Sequence, residues 1–147
     1  MSITSGKHVQ ANEDIFCVDR LDDNIIINQT EDVWNCLATD SLGNKNTVDF
    51  VNDNAGYELF TDLILADYLL ENKLAGCIRF HIKAIPWFIS DAKHSDFDYT
   101  LKYLREVGSP SLNDLGKRWT QHVQDGKFIV MPVEHFWTSP FEYYKYV

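Results

Sequence analysis

The chain has 147 residues, 45% of them hydrophobic and 14% aromatic, and a formal net charge of -9. That length and composition fit one folded domain with a real core and argue against disorder over most of the chain. The acidic balance without a Lys/Arg cluster excludes a nucleic-acid-binding face, and the lack of an 18-residue apolar run excludes a transmembrane helix.

Residues 1 to 23 are polar and lack a clear period, which reads as a poorly ordered lead-in to a domain over 24 to 147. "NIIIN" (24 to 28) is a short apolar run, expected as a strand or buried tether. Thr30 is the expected N-cap of a helix over "EDVWNCLATDSL", with Glu31 and Asp32 in its first turn and Gly43–Asn44 as its stop. "TVDFV" (47 to 51) is β-branched and aromatic, hence a strand. From Tyr57 to about Lys73, apolar residues recur at helical spacing, and Gly76 is a natural terminator. "CIRFHIK" (77 to 83) alternates with period two and reads as a second strand.

Strand, helix and strand in so short a span make a βαβ unit, so the two strands are expected to be parallel neighbours. "PWFISDAKHSDFD" follows as a loop, "DFDYTLKYLREV" and "SLNDLGKRWTQHVQDG" as two helices split by "GSP", and "KFIVMPVEHFW" as a further strand. The expected core includes Leu59, Leu63, Ile64, Phe80, Ile82 and Val130.

Cys17, Cys36 and Cys77 are widely spaced and include no CxxC, which reads as reduced intracellular thiols. The N-terminus lacks the apolar run of a signal peptide, so a cytoplasmic location is expected, with the nucleus as the alternative.

In open α/β sheets, ligands sit beyond the carboxyl ends of the strands. Asp53 and Asn54 stand just past the first strand, and Ser90 and Asp91 follow the second after a short loop. Adjacent strands bring these groups to one sheet edge. Gly56 permits a tight turn and close approach of backbone to a ligand. Glu58 lies in the first helical turn, where the helix dipole favours a carboxylate. Each residue alone is more often a cap or a dipole partner; the coincidence of Asp53, Asn54 and Asp91 is what points to a site. Two carboxylates and an amide oxygen are hard donors that suit Mg²⁺ or Mn²⁺ better than zinc. His81, His94 and His135 have no zinc-like spacing. No GxGxxG, GxxxxGK[ST] or GxSxG occurs, which counts against dinucleotide, P-loop and serine-hydrolase chemistry.

"DNAGYELFTDLILADYLL" closely resembles the signature of the metal-dependent damage-control phosphatases, and "IPWFISD", "GKF", "HFWTSP" and "EYY" follow in the order seen in their sugar-phosphate phosphatase subfamily. The resemblance covers about residues 24 to 147; residues 1 to 23 do not share it. It implies an α/β fold, a three-layer Rossmann-like sandwich with a mainly parallel sheet, incomplete here at both ends. It also implies a divalent metal on Asp53, Asn54 and Asp91, Mn²⁺ first and Mg²⁺, Ni²⁺ or Co²⁺ as alternatives. Asp53 and Asp91 are then the catalytic carboxylates, and Glu58 and Ser90 contact the substrate. The implied reaction is hydrolysis of small sugar phosphates such as fructose phosphates by a monomer.

Family members are longer, with a helical domain before this region and a "GDxNYRK"-like segment after it, so the chain reads as a truncated member carrying the metal half of the site. A non-catalytic α/β binding module is the competing reading. Protein carboxyl methylation is a third, resting on the subfamily's second description as acidic-residue methyltransferases.

Overall fold

The computed structural model describes residues 25–39 and 46–134. The lead-in at 1 to 23, the Gly43–Asn44 stop, and the segments holding "HFWTSP", "EYY" and His135 lie outside the described residues. The chain forms two compact units, residues 1–35 and 36–147.

In the first unit, residues 25–29 adopt neither helix nor strand, and Ile25, Ile26 and Ile27 are exposed, against the strand or buried tether expected over 24 to 28. Helix α1 (Thr30–Thr39) begins one residue earlier than expected. Thr30 is its first helical residue, and the side chain of Asn28 accepts the Thr30 N–H at 3.0 Å. A short amide before a helix competes well for this role because its oxygen reaches back to an orphan backbone donor.

The second unit is built on three strands, β1 (Thr47–Val51), β2 (Cys77–His81) and β3 (Phe128–Val130), with α2 (Tyr57–Glu71), α3 (His94–Glu106) and α4 (Pro110–Gln124) between them. The sheet order is β1-β2-β3, and both pairings are parallel, with Val51 opposite His81 and Phe80 opposite Val130. This is an α/β fold with an open parallel sheet. Both crossovers step the same way across the sheet, and right-handed connections deliver their helices to the same face. The buried side chains agree: Ile78, Phe80 and Phe128 of the sheet join Leu59, Leu63 and Ala66 of α2, Phe97 and Leu101 of α3, and Trp119 of α4 in one cluster.

Phe80 is its hub, with ring centroids 5.7 Å from Phe50, 5.3 Å from Phe97 and 5.2 Å from Phe128. Leu59, Leu63, Phe80 and Ile82 are buried as expected, and Val130 packs half-buried against the cluster. Ile64 does not follow: it is 43% exposed. The buried residues of α2 are Leu59, Leu63, Ala66, Asp67 and Leu69, and Ile64 lies one residue, about 100°, from Leu63.

Helix α2 ends at Glu71, well before Gly76, and Asn72 closes it by donating its side-chain N–H to the Tyr68 carbonyl at 2.8 Å. Among the described residues, no helix is long and apolar enough to cross a membrane.

Candidate metal and phosphate site at the carboxyl edge of the sheet

The loops after β1 and β2 are tied together. Asn54 and Asp91 form an isolated antiparallel bridge. Ala55 N–H donates to the Ser90 carbonyl at 2.7 Å, and Ala92 N–H donates to the Asp53 carbonyl at 2.9 Å. Gly56 precedes α2 with φ +73°, the left-handed region that a side chain rarely tolerates, and so turns the β1 loop into the helix. At the base of the loop, Asn52 is buried and donates its side-chain N–H to Asp62 at 2.8 Å. Burial, opposed by the Asn52 bond and reinforced by Glu58, raises the Asp62 carboxyl above its ordinary value.

All five residues read from the sequence meet here. Asp91 is 2% exposed. Its Oδ2 accepts the N–H groups of Trp87 and Phe88 at 2.8 and 3.0 Å, while its Oδ1 stands 3.0 Å from Lys83 Nζ. The same ammonium donates to Asp53 Oδ1, so the two carboxylates converge on one cation. Asn54 donates its side-chain amide to Asp53 at 3.0 Å and to Glu58 at 2.9 Å, and Ser90 Oγ donates to Asn54 Oδ1 at 2.8 Å. Glu58 also accepts the Asn54 N–H at 3.1 Å.

Two carboxylates facing one positive charge are a donor set that a hard divalent cation can use. The amide oxygen of Asn54 is directed to Ser90, and Glu58 is engaged in holding the Asn54 loop. The Phe88 N–H bond outweighs burial at Asp91 and, with Lys83 and Trp87, holds its carboxyl below the ordinary carboxylate range. Burial disfavours the charge on Lys83, but the bonds to Asp53 and Asp91 outweigh it and raise its pKa.

Lys83 is the residue that sequence reasoning missed. The signal was available: Arg79, His81 and Lys83 share the polar phase of the alternating strand, and the third emerges at its carboxyl end. The lower two serve another contact, for Arg79 binds Asp49 through two hydrogen bonds at 2.7 and 2.5 Å, and His81 Nε2 lies 2.6 Å from Asp49 Oδ1.

Beside this edge lies a mainly apolar cavity of about 610 Å³, lined by Ala55 and Gly56 of the loop after β1 and by Tyr57, Phe60, Tyr99 and Tyr103 among others. Among the described residues, Asp67, Glu71 and His122 are the group of His, Cys, Asp and Glu side chains able to hold a metal ion, with ligand atoms within 4.8 Å of one another. They stand toward the amino ends of the strands, where α2 and α4 lead into β2 and β3.

A parallel sheet with oxygen donors and a lysine clustered at its carboxyl edge defines the general class: an α/β protein with a candidate site at that edge. The particular family follows from comparison with known proteins. The family model described as Damage-control phosphatase ARMT1-like domain matches residues 1–146, and the chain belongs to that family.

It is 36% identical to Damage-control phosphatase ARMT1 of Bos taurus and 34% identical to that of Homo sapiens, each match covering 97% of this chain and 33% of the relative. It is 40% identical to the Xenopus tropicalis protein over 81% of this chain and 28% of the relative. The chain thus spans about a third of the length of these curated relatives. The family match begins at residue 1, so the lead-in belongs to it too, against the sequence reading that left residues 1 to 23 outside.

Proposed function

We propose that this chain carries the metal centre of a metal-dependent phosphatase acting on small sugar phosphates such as fructose phosphates. One observation supports the reading above all others: the carboxylates of Asp53 and Asp91, from loops after adjacent parallel strands, meet a single cation. In this reading Asp53, Asn54 and Asp91 hold a divalent metal, foremost Mn²⁺. Bound there, the metal neutralises phosphate oxygens and activates a water.

Each protein group then has a separate task. Asp91, anchored by two backbone N–H groups, fixes one ligand oxygen rigidly. Asp53, whose side chain is largely exposed, is the adaptable partner. Lys83 trades its carboxylate contacts for a phosphate oxygen, since an ammonium on a flexible stem suits that group. Glu58 and Ser90, within reach through Asn54, take the hydroxyl groups of the substrate. The aromatic rings of the neighbouring cavity offer apolar faces to the carbon skeleton. The reading has the chain acting as a monomer on a soluble substrate in the cytoplasm or nucleus.

The test is phosphate release from fructose 1-phosphate and fructose 6-phosphate by the chelator-stripped chain, with and without Mn²⁺. Release that requires Mn²⁺ and disappears in Asp53→Asn and Asp91→Asn, with helical content retained, is expected. Failure of Mn²⁺ to elicit release, or full activity in both variants, overturns the proposal.

A further inference from the structure

We propose that Asp67, Glu71 and His122 form a second, structural metal site, selective for a tetrahedral N/O-coordinated ion such as Zn²⁺, that clasps α2 to α4. Asp67 and Glu71 stand four residues apart on α2 and so share one helix face. His122 lies in the last turn of α4. Its side chain is 6% exposed and its Nε2, enclosed from solvent, makes no hydrogen bond. That nitrogen stands 3.4 Å from Asp67 Oδ1 and 3.7 Å from Glu71 Oε1.

These separations are poor for hydrogen bonds. They are close to what a shared ion requires, because tetrahedral ligands on bonds of about 2.0–2.2 Å stand roughly 3.3–3.6 Å from one another. An enclosed imidazole nitrogen that makes no hydrogen bond is itself costly, and an ion held with the two nearby carboxylates would satisfy it.

The electrostatics permit a cation. Arg118 donates to both Asp67 oxygens. Two carboxylates against one guanidinium leave a net negative charge for the ion. Each ionised carboxylate oxygen keeps a second lone pair, so Asp67 Oδ1 can bind Arg118 and an ion together. Glu71 is half-exposed and opens the fourth position to water. The mixed nitrogen and oxygen set distinguishes this site from the oxygen-only set at Asp53 and Asp91. It also lies toward the opposite ends of the strands, so it holds helices rather than substrate.

The proposal is tested with the chain stripped by a chelator and titrated with Zn²⁺. Calorimetry is expected to show a Zn²⁺ equivalent that Glu71→Gln weakens by about tenfold or more, with a Zn²⁺-dependent rise in Tm that His122→Gln removes. Anomalous scattering at the zinc edge should place the ion between α2 and α4. Glu71 is exposed, so its variant keeps the test meaningful even where His122→Gln fails to fold. Zn²⁺ affinity unchanged in Glu71→Gln, or anomalous density confined to Asp53 and Asp91, overturns the proposal. Neither result bears on phosphate release.

Discussion

Lys83 Nζ stands 3.0 Å from Asp91 Oδ1 and also binds Asp53, so one ammonium joins the loops that follow β1 and β2. The lysine side chain is mostly buried, and Asp91 almost entirely so. Lys83 is tolerated there by Asp53 and Asp91, and Asp91 by the Phe88 and Trp87 N–H groups together with the lysine. A divalent cation entering this site must compete with the lysine for the same oxygens.

Replacing Lys83 with Met therefore has two opposite effects. Without metal, Asp91 and Asp53 lose their shared cation, and stability should fall by about 1–3 kcal/mol. With the incumbent gone, Mn²⁺ should bind more tightly. Urea unfolding with and without Mn²⁺ measures both. A variant destabilised equally in both conditions would show that Lys83 and the metal do not compete.

The pH dependence has a defined sign at each end. Asp91 is held below its ordinary range, first by the Phe88 N–H, so its contribution is complete above about pH 4, the unfolded value, and is lost as pH falls through the lower folded value. Asp49, depressed chiefly by its bond to Arg79, adds to the same acid loss, and Asp62, raised by burial, opposes it. Lys83 is raised, so its contribution is complete below about pH 10.4 and lost as pH climbs through the higher folded value. Stability of the metal-free chain, followed by urea midpoints across pH, should decline in both directions, and Lys83→Met should flatten the alkaline limb.

Gly116 marks where α3 and α4 touch. A Cβ added there would meet Arg105 N at 2.8 Å and Leu104 Cβ at 2.9 Å, both closer than real contacts allow. Gly116→Ala should cost about 1–3 kcal/mol by forcing the helices apart, despite alanine's better helix propensity. A Tm equal to or above that of the unaltered chain would contradict this packing.

Two arginine–aspartate pairs should differ in worth. Arg79–Asp49 is substantially exposed on both sides, where solvent screens the pair, and Arg79→Leu should leave stability little changed. Arg118 instead binds an Asp67 side chain that is 9% exposed, and Arg118→Met should cost about 1–3 kcal/mol. Paired chemical denaturation curves decide it, and equal losses would refute the ranking.

Much of this was legible from local pattern. Period-two alternation marks β2, and the spacing of Leu59, Leu63 and Ala66 marks α2, because burial selects residues by geometric period. The meeting of Asp53 with Asp91 follows from parallel pairing of adjacent strands, a topological rule that needs no coordinates. What escaped depends on orientation. Ile64 is as apolar as Leu63 and differs only in helix phase. Lys83 looks like any solvated strand residue until two loops close over it. Asp67 and Glu71 read as mere interruptions of an apolar helix, since their partners Arg118 and His122 come from a helix some fifty residues away.

The sheet order has a kinetic corollary. Because β1, β2 and β3 lie side by side in the order of the sequence, each strand docks on the edge left by its predecessor, and none must wait for a later segment to be wedged between earlier ones. The sheet can grow at one edge while the chain is being made. At typical synthesis rates β2 is finished roughly 2–10 s before β3 emerges. During that interval the hub ring of Phe80 has Phe50 beside it, but not Phe128. Between the release of His81 and that of Val130 from the ribosome, the edge of β2 that will pair with β3 therefore has no strand beside it.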